Sequence, residues 1–256
     1  MRKVSIVIPT CNEKENIEPL IREIDDALRD IDHEVIFVDD STDDTTRIID
    51  KIARQKAHVK YIHRKGKKGL ASAVVLGFQM AKGEYLACMD GDLQHPPKIL
   101  LPMYAAMEAG ADLCLPSRFI KGGRDGGLNP CRKLISVTAG MIGKLLVKAL
   151  RPVSDPTGGL FMARRSVVES ANLKPVGWKI LAEILATARY ARIIEIPYAF
   201  AGRNAGSSKM SSKAALQYLQ QCLSLRKRSR NNQKVIIKRW SYEKTLKIMR
   251  KGALSH

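Results

Sequence analysis

Strands and helices alternate along the first 116 residues, and that alternation constrains the fold more than any other feature. Val4-Ser5-Ile6-Val7-Ile8 is a short β-branched run closed by Pro9 and reads as a buried strand. Asn16–Ile31 then sets Ile17, Leu20, Ile21, Ile24 and Leu28 at helical spacing, one face of an amphipathic helix. The pattern continues with strands expected over Glu34–Val38, His58–Ile62, Glu84–Met89 and Ala111–Pro116. Helices are expected over Thr45–Gln55, Gly69–Lys82 and Pro97–Ala109. Such a succession of βαβ units predicts an α/β fold with a mainly parallel central sheet flanked by helices. Glu13, Asp39, Asp40, Asp90 and Asp92 fall at the carboxyl ends of these strands, the edge where open α/β sheets bind ligands.

Beyond residue 116 the pattern loosens. Residues 121–130 are Gly-rich and predict a loop, and Arg132–Leu150 a helix apolar on most faces. A turn at Asp155-Pro156-Thr157-Gly158-Gly159 leads to a short strand over Leu160–Ala163. Ile180–Thr187 reads as helix, Ile193–Tyr198 as strand and Ser211–Leu225 as an amphipathic helix. Arg226–Lys251 then carries 11 basic residues and one acid, Glu243. These features divide the chain into a domain over 1–212 and an amphipathic helix with a basic C-terminal tail over 213–256.

The net charge of +19 is unevenly placed: residues 1–116 hold 16 basic and 19 acidic side chains, residues 117–256 hold 28 and 6. The back half is therefore expected to meet something anionic. Five cysteines without a C-x-x-C pair indicate neither a disulfide framework nor a zinc ribbon, and suit a reducing compartment. No uncharged apolar run reaches the roughly 18 residues of a membrane span, so the chain is expected to be soluble or peripheral.

The chemistry centres on Asp90-Gly91-Asp92-Leu93-Gln94. Two carboxylates and an amide at a strand end are hard oxygen donors, suited to Mg²⁺ or Mn²⁺ shared with a diphosphate. Gly91 lets the backbone approach a sugar or ribose closely. His95 precedes two prolines and reads as a turn residue rather than a base. Acceptors after the first two strands, from Pro9 to Glu13 and from Val38 to Asp40, can bind a nucleobase edge and ribose hydroxyls. Asn12 and Asp43 also suit helix capping.

Together these segments resemble glycosyltransferase family 2. The resemblance rests on Val4–Thr10 with Asn12-Glu13, Val38-Asp39-Asp40-Ser41, Gly69–Val75 with Gly77-Phe78, and Met89–Pro97. It continues through Ser117-Arg118-Phe119, Asp155-Pro156-Thr157, Gly177–Leu181 with Glu183, and Arg203, Gly206 and Ser208-Lys209-Met210. The full set, covering 3–212, is similar to the dolichyl-phosphate mannose synthases and their polyprenyl-phosphate relatives. Cys11 stands where those relatives usually have Tyr, Ser41 where they have Gly, and Gly158-Gly159 where Ser-Gly is common.

The resemblance implies a GT-A type nucleotide-sugar-binding fold with amphipathic C-terminal helices, and inverting transfer of a sugar to a dolichyl or polyprenyl phosphate. It implies Asp90, Asp92 and Gln94 as metal ligands. Pro9, Cys11, Glu13, Val38, Asp40, Asp90, Gly91 and Asp92 would meet the donor. The acceptor phosphate is assigned to Arg118, Arg132 and Ser136. Lys179, Arg203 and Lys209, with Arg118, are assigned to the donor side; Arg203–Lys209 would form a closing loop. Mannose from GDP-mannose is the favoured donor, on the segments Gly177–Leu181 and Arg203–Lys209; UDP-glucose and a soluble sugar acceptor are the alternatives.

The expected setting is the cytoplasmic face of an anionic membrane, reached through the two apolar helices, the basic tail or a membrane anchor subunit. Nucleic acid is not expected as a partner, because the basic region has few aromatics and strand-end acids repel a phosphate backbone.

Overall fold

The computed structural model describes residues 3–66, 69–126, 130–174, 179–201, 212–229 and 234–253. One eight-stranded sheet runs through it. The strands are β1 (Val4–Thr10), β2 (His33–Asp39), β3 (Val59–His63), β4 (Tyr85–Cys88), β5 (Leu113–Ser117), β6 (Phe161–Arg164), β7 (Arg192–Pro197) and β8 (Ile236–Arg239). Their order is β3-β2-β1-β4-β6-β5-β7-β8, and only β6 runs against its neighbours.

The helices are α1 (Ile17–Ala27), α2 (Thr45–Gln55), α3 (Leu70–Met80), α4 (Leu100–Glu108), α5 (Pro130–Leu146), α6 (Arg165–Ser170), α7 (Ile180–Thr187), α8 (Ser212–Arg228) and α9 (Tyr242–Ala253). α1, α2, α4 and α9 cover one face of the sheet; α3, α6, α7, α8 and the end of α5 cover the other. Strand residues divide accordingly. Ile6 and Ile8 pack on the first face and Val7 on the second, the two-residue period of a strand buried on both sides.

Several elements differ from expectation for local reasons. β1 runs through Pro9 to Thr10 rather than stopping at it. Pro9 faces β4, whose pairing with β1 ends at Val7↔Cys88, so the missing N–H interrupts no ladder. α1 ends at Ala27, where Leu28 takes a non-helical conformation (φ −117°, ψ 24°) while its side chain stays in the core. Residues 226–251, expected as a basic tail, contain two unforeseen elements. β8 pairs in parallel with β7, and α9 packs against α4.

Strand direction and order place the site. β1 and β4 are adjacent, but the chain leaves β1 toward β2 and returns to β4 from β3. Their carboxyl ends therefore diverge around a crevice. Because β6 is reversed, its amino end, preceded by Gly159, meets the carboxyl end of β4.

Candidate active site

On the β1–β2 side of the crevice the acids are held by hydrogen bonds. Asp39 is fully buried; it accepts from Thr10 Oγ1 at 2.8 Å and Thr46 Oγ1 at 2.6 Å, also from Ser41 Oγ, and lies 3.0 Å from His63 Nδ1. Burial pushes its carboxyl pKa up, but the bonds from Ser41, Thr46, Thr10 and His63 outweigh that and leave it below the ordinary value. Ser41 also accepts the Asn12 N–H at 2.8 Å, and Asn12 Oδ1 accepts the Thr42 N–H at 2.9 Å. These bonds lock the turns after β1 and β2 together, with Asn12 in the left-handed region (φ 59°). The hydroxyl brought by Ser41 thus links Asp39 to the β1 turn. Asp43 accepts the Thr45 N–H at 3.0 Å in the turn that leads into α2, whose N-cap residue is Asp44 rather than Asp43.

Asp40 is gripped by Arg64. Nε donates to Oδ1 at 2.8 Å, Nη2 donates to Oδ2, and the Gly69 N–H adds a bond at 3.2 Å. Both side chains are buried, so this bidentate pair fixes the orientation of the carboxylate. Cys11 and Pro9 are half-buried beside it, with Cys11 Sγ 3.8 Å from the Asp40 carbonyl. Glu13 is anchored through its N–H to Thr45 Oγ1 at 3.0 Å and through Oε2 to Asn16 Nδ2 at 2.8 Å. Val38 lies wholly in the core beneath this edge.

The turn after β4 carries Asp90, Asp92 and Gln94. Leu93 adopts a left-handed conformation (φ 58°), which reverses the chain so that Gln94 N–H donates to Asp92 Oδ1 at 3.2 Å. Gln94 pairs with Ala201 twice: its carbonyl accepts the Ala201 N–H at 2.8 Å, and Nε2 donates to the Ala201 carbonyl at 3.4 Å. That bond uses the amide nitrogen, so the amide oxygen is the atom Gln94 could offer a cation. Asp90, at 37% side-chain exposure, faces the crevice and stands 3.2 Å from His95 Nε2. His95 is buried, stacks with Tyr198 and lies 3.2 Å from its hydroxyl through Nδ1. It is a turn residue, as expected, and it also positions Asp90. Gly159 closes the turn: a Cβ there would stand 2.7 Å from Asp90 Oδ2.

The far side of the crevice is cationic. Arg118, just after β5, donates through Nε and Nη2 to Asp155 Oδ2 at 3.2 and 3.0 Å, and its guanidinium lies 5.1 Å from the ring centres of Phe119 and Phe200. Lys179 Nζ donates to the Thr157 carbonyl at 2.8 Å. Its burial lowers its pKa, opposed by the nearby carboxylates of Asp155 and Asp90. Arg118, Lys179, Asp155 and Asp90 therefore share one field. Arg132 and Ser136 stand on α5 within 130–136, whose side chains lie outside the described residues, as do Gly177, Trp178, Arg203 and Lys209.

The model of glycosyl transferase family 2 matches residues 5–171, the stretch that builds β1 to β6 and this crevice. The chain belongs to that family. Within it, the sequence is 41% identical over 225 residues to a dolichol-phosphate mannosyltransferase of Pyrococcus furiosus, covering 88% of this chain and 64% of that one. It is 36% identical to a dolichol-phosphate mannosyltransferase of Saccharomyces cerevisiae, covering 93% and 92%. In fold, the family member resembles glucosyl-3-phosphoglycerate synthase of Mycobacterium tuberculosis, solved with Mn²⁺, UDP-glucose and glycerol 3-phosphate. That match has a TM-score of 0.62 at 18% identity and covers 88% of this chain and 80% of the other.

Sequence reasoning missed Arg64, Tyr198 and the contact of Gly159 with Asp90. Arg64 lies in a basic stretch, His63 to Lys68, that looks like ordinary surface. Gly159 gains its meaning only when β6 is set beside β4, and Tyr198 only when the chain after β7 brings its hydroxyl to His95.

Proposed function

We propose that the protein transfers mannose from GDP-mannose, with inversion, to a dolichyl or polyprenyl phosphate at the cytoplasmic face of a membrane. The observation that carries this reading is the meeting, at one sheet edge, of an oxygen-donor turn with the cations Arg118 and Lys179. The Pyrococcus furiosus and Saccharomyces cerevisiae relatives, both dolichol-phosphate mannosyltransferases, supply mannose and the lipid phosphate class.

The donor set fits a hard divalent cation. Asp90, Asp92 and Gln94 offer only oxygen, and Gly159 leaves room beside the Asp90 carboxylate that any side chain would fill. Mg²⁺ or Mn²⁺ bound there supplies Lewis-acid stabilisation of the departing diphosphate. Asp40, Glu13, Cys11 and Pro9 line the base and ribose end. Asp39, through the turns it ties together, orients them. Arg118 and Lys179, with Arg132, Ser136, Arg203 and Lys209, hold the two phosphate groups in line across the anomeric carbon. No general base is required, because a phosphomonoester with a second pKa near 6 reaches the site largely as the dianion at pH 7.

The membrane setting rests on one face. Val137, Met141, Ile142 and Leu145 of α5 and Leu216, Leu219 and Leu223 of α8 are exposed, and the two helices pack together through the Tyr218 hydroxyl on the Ala139 carbonyl at 3.0 Å. Among the described residues no helix is long and apolar enough to cross a membrane. Such a face suits insertion into the headgroup region, assisted by basic residues or by an anchor subunit.

Incubation of the protein and Mn²⁺ with a polyprenyl phosphate and separately labelled nucleotide sugars tests the reading. The expected product is a mannolipid formed from GDP-mannose. Label entering the lipid from UDP-glucose alone, or appearing only on soluble acceptors, would overturn it.

A further inference from the structure

At the opposite edge of the sheet, away from the crevice, Asp25 of α1, His33 at the start of β2 and His58 just before β3 converge. One ligating atom from each lies within 4.8 Å of the others, and all three residues are half-buried. Two bonds sort the donors. Lys56 Nζ donates to Asp25 Oδ2 at 2.8 Å, which leaves Oδ1 facing both imidazoles. His58 Nε2 stands 2.9 Å from that oxygen and His33 Nε2 3.3 Å from it.

The tautomer of His33 gives these distances meaning. Its Nδ1 lies 2.8 Å from the Ile31 carbonyl, an acceptor only, so Nδ1 carries a proton. In the neutral ring Nε2 is then a lone pair aimed at a carboxylate oxygen. Two acceptors face each other, and a positive centre belongs between them.

We propose that Asp25, His33 and His58 form a second metal site, selective for a zinc-class divalent cation, with water completing the coordination. Metal bonds of 2.0–2.1 Å in tetrahedral geometry set ligand atoms about 3.3 Å apart; the His33–Asp25 spacing is 3.3 Å, and the His58–Asp25 spacing of 2.9 Å opens to it by a small side-chain shift. The surroundings match those of metal ligands generally: an imidazole whose second nitrogen is held by a backbone carbonyl, and a carboxylate whose second oxygen is held by a cation. A groove of about 400 Å³ lined by Glu18, Arg22, Asp26, Gln55 and Lys56 runs up to Asp25. Two imidazoles favour Zn²⁺ over Mg²⁺, whereas the oxygen-only turn at Asp90 has the reverse preference. The two sites are therefore chemically distinct, and this one ties α1, β2 and β3 together.

The test uses the full chain, stripped of metal by chelation and titrated with Co²⁺. One equivalent is expected to give the intense visible absorption of four-coordinate Co²⁺, bleached by Zn²⁺ and untouched by excess Mg²⁺. His33→Gln and His58→Gln should each weaken it 10–100-fold, while Asp92→Asn leaves it intact. Far-UV circular dichroism in chelator verifies that each variant is folded, and either histidine variant alone suffices. A missing four-coordinate spectrum would assign the facing pair to a shared proton and overturn the proposal. So would a spectrum that survives both histidine substitutions or is lost in Asp92→Asn.

Discussion

Residues close in sequence and residues brought together by folding contribute differently to this site. Asp90, Gly91, Asp92 and Gln94 share one turn, so their joint role is legible in the chain. Their partners are not: Gly159 and Tyr198 lie 69 and 108 positions from Asp90. Arg64 is 24 positions from Asp40, yet their bond draws one member of a basic stretch into the crevice. Gly159 affords a sharp test. Alanine there would set a Cβ 2.7 Å from Asp90 Oδ2 and 3.2 Å from its carboxyl carbon, so the carboxylate must move. A displacement near 1 Å in a catalytic constellation is worth about 10²-fold in rate. Gly159→Ala is expected to lose about that much kcat and to need more Mn²⁺, with a thermal midpoint near the parent's. Full activity at unchanged Mn²⁺ would show that Asp90 tolerates the shift. Ser41 teaches the opposite lesson: a departure from the family pattern that looks like a loss supplies a hydroxyl bridging Asp39 and Asn12.

At the scale of elements, hydrophobic periodicity found the helices and strands of the first half, whose apolar residues are dense and regularly spaced. It failed where charge dilutes the pattern. β8 reads Ile-Ile-Lys-Arg within a strongly basic stretch, and only its register with β7, Arg192↔Ile236 to Glu195↔Arg239, makes it a strand. Arg239 also reaches the buried Glu195, with Nε 2.8 Å from Oε2. α9 buries Thr245 and sets Met249 against the core. The basic C-terminus is thus part of the sheet and its cover. A chain ending at residue 233 would expose the edge of β7 and uncover α4. The expected result is a lower unfolding midpoint, by about 2–4 °C for each kcal/mol lost in a chain of this size, with aggregation through the bared strand. Calorimetry with light scattering measures both, and an unchanged midpoint in a monodisperse sample would refute it. Truncation is accordingly a poor probe of membrane binding, since it alters fold and charge together.

For the whole molecule, the lopsided charge was visible from the start, and its physical division follows the sheet. The acid-rich half builds β1 to β4 and the oxygen-donor turn; the basic half brings Arg118, Lys179 and the outer elements. The apolar face of α5 and α8 was less legible, because helical spacing alone does not tell a core helix from one lying on a surface. Exposure decides it: Met141 is 61% and Leu145 75% exposed. With a buried Leu or Met side chain worth about 1.5–3 kcal/mol, Met141→Glu with Leu145→Glu is expected to weaken partitioning onto anionic vesicles at least tenfold. Transfer to a short, water-soluble prenyl phosphate should persist. Equal vesicle binding by parent and double variant would remove this face from the membrane contact. The reversed strand β6 has a further consequence, for how such a protein can diversify. Residues 118–160 leave the sheet from β5 and return into β6 beside β4, so both ends of the excursion are clamped by strand pairing. Lengthening a clamped excursion adds little entropy cost, about 0.6 kcal/mol per doubling for a flexible loop. The middle of this excursion can therefore be lengthened without disturbing β1 to β4, which makes it an interchangeable cassette on a fixed chassis.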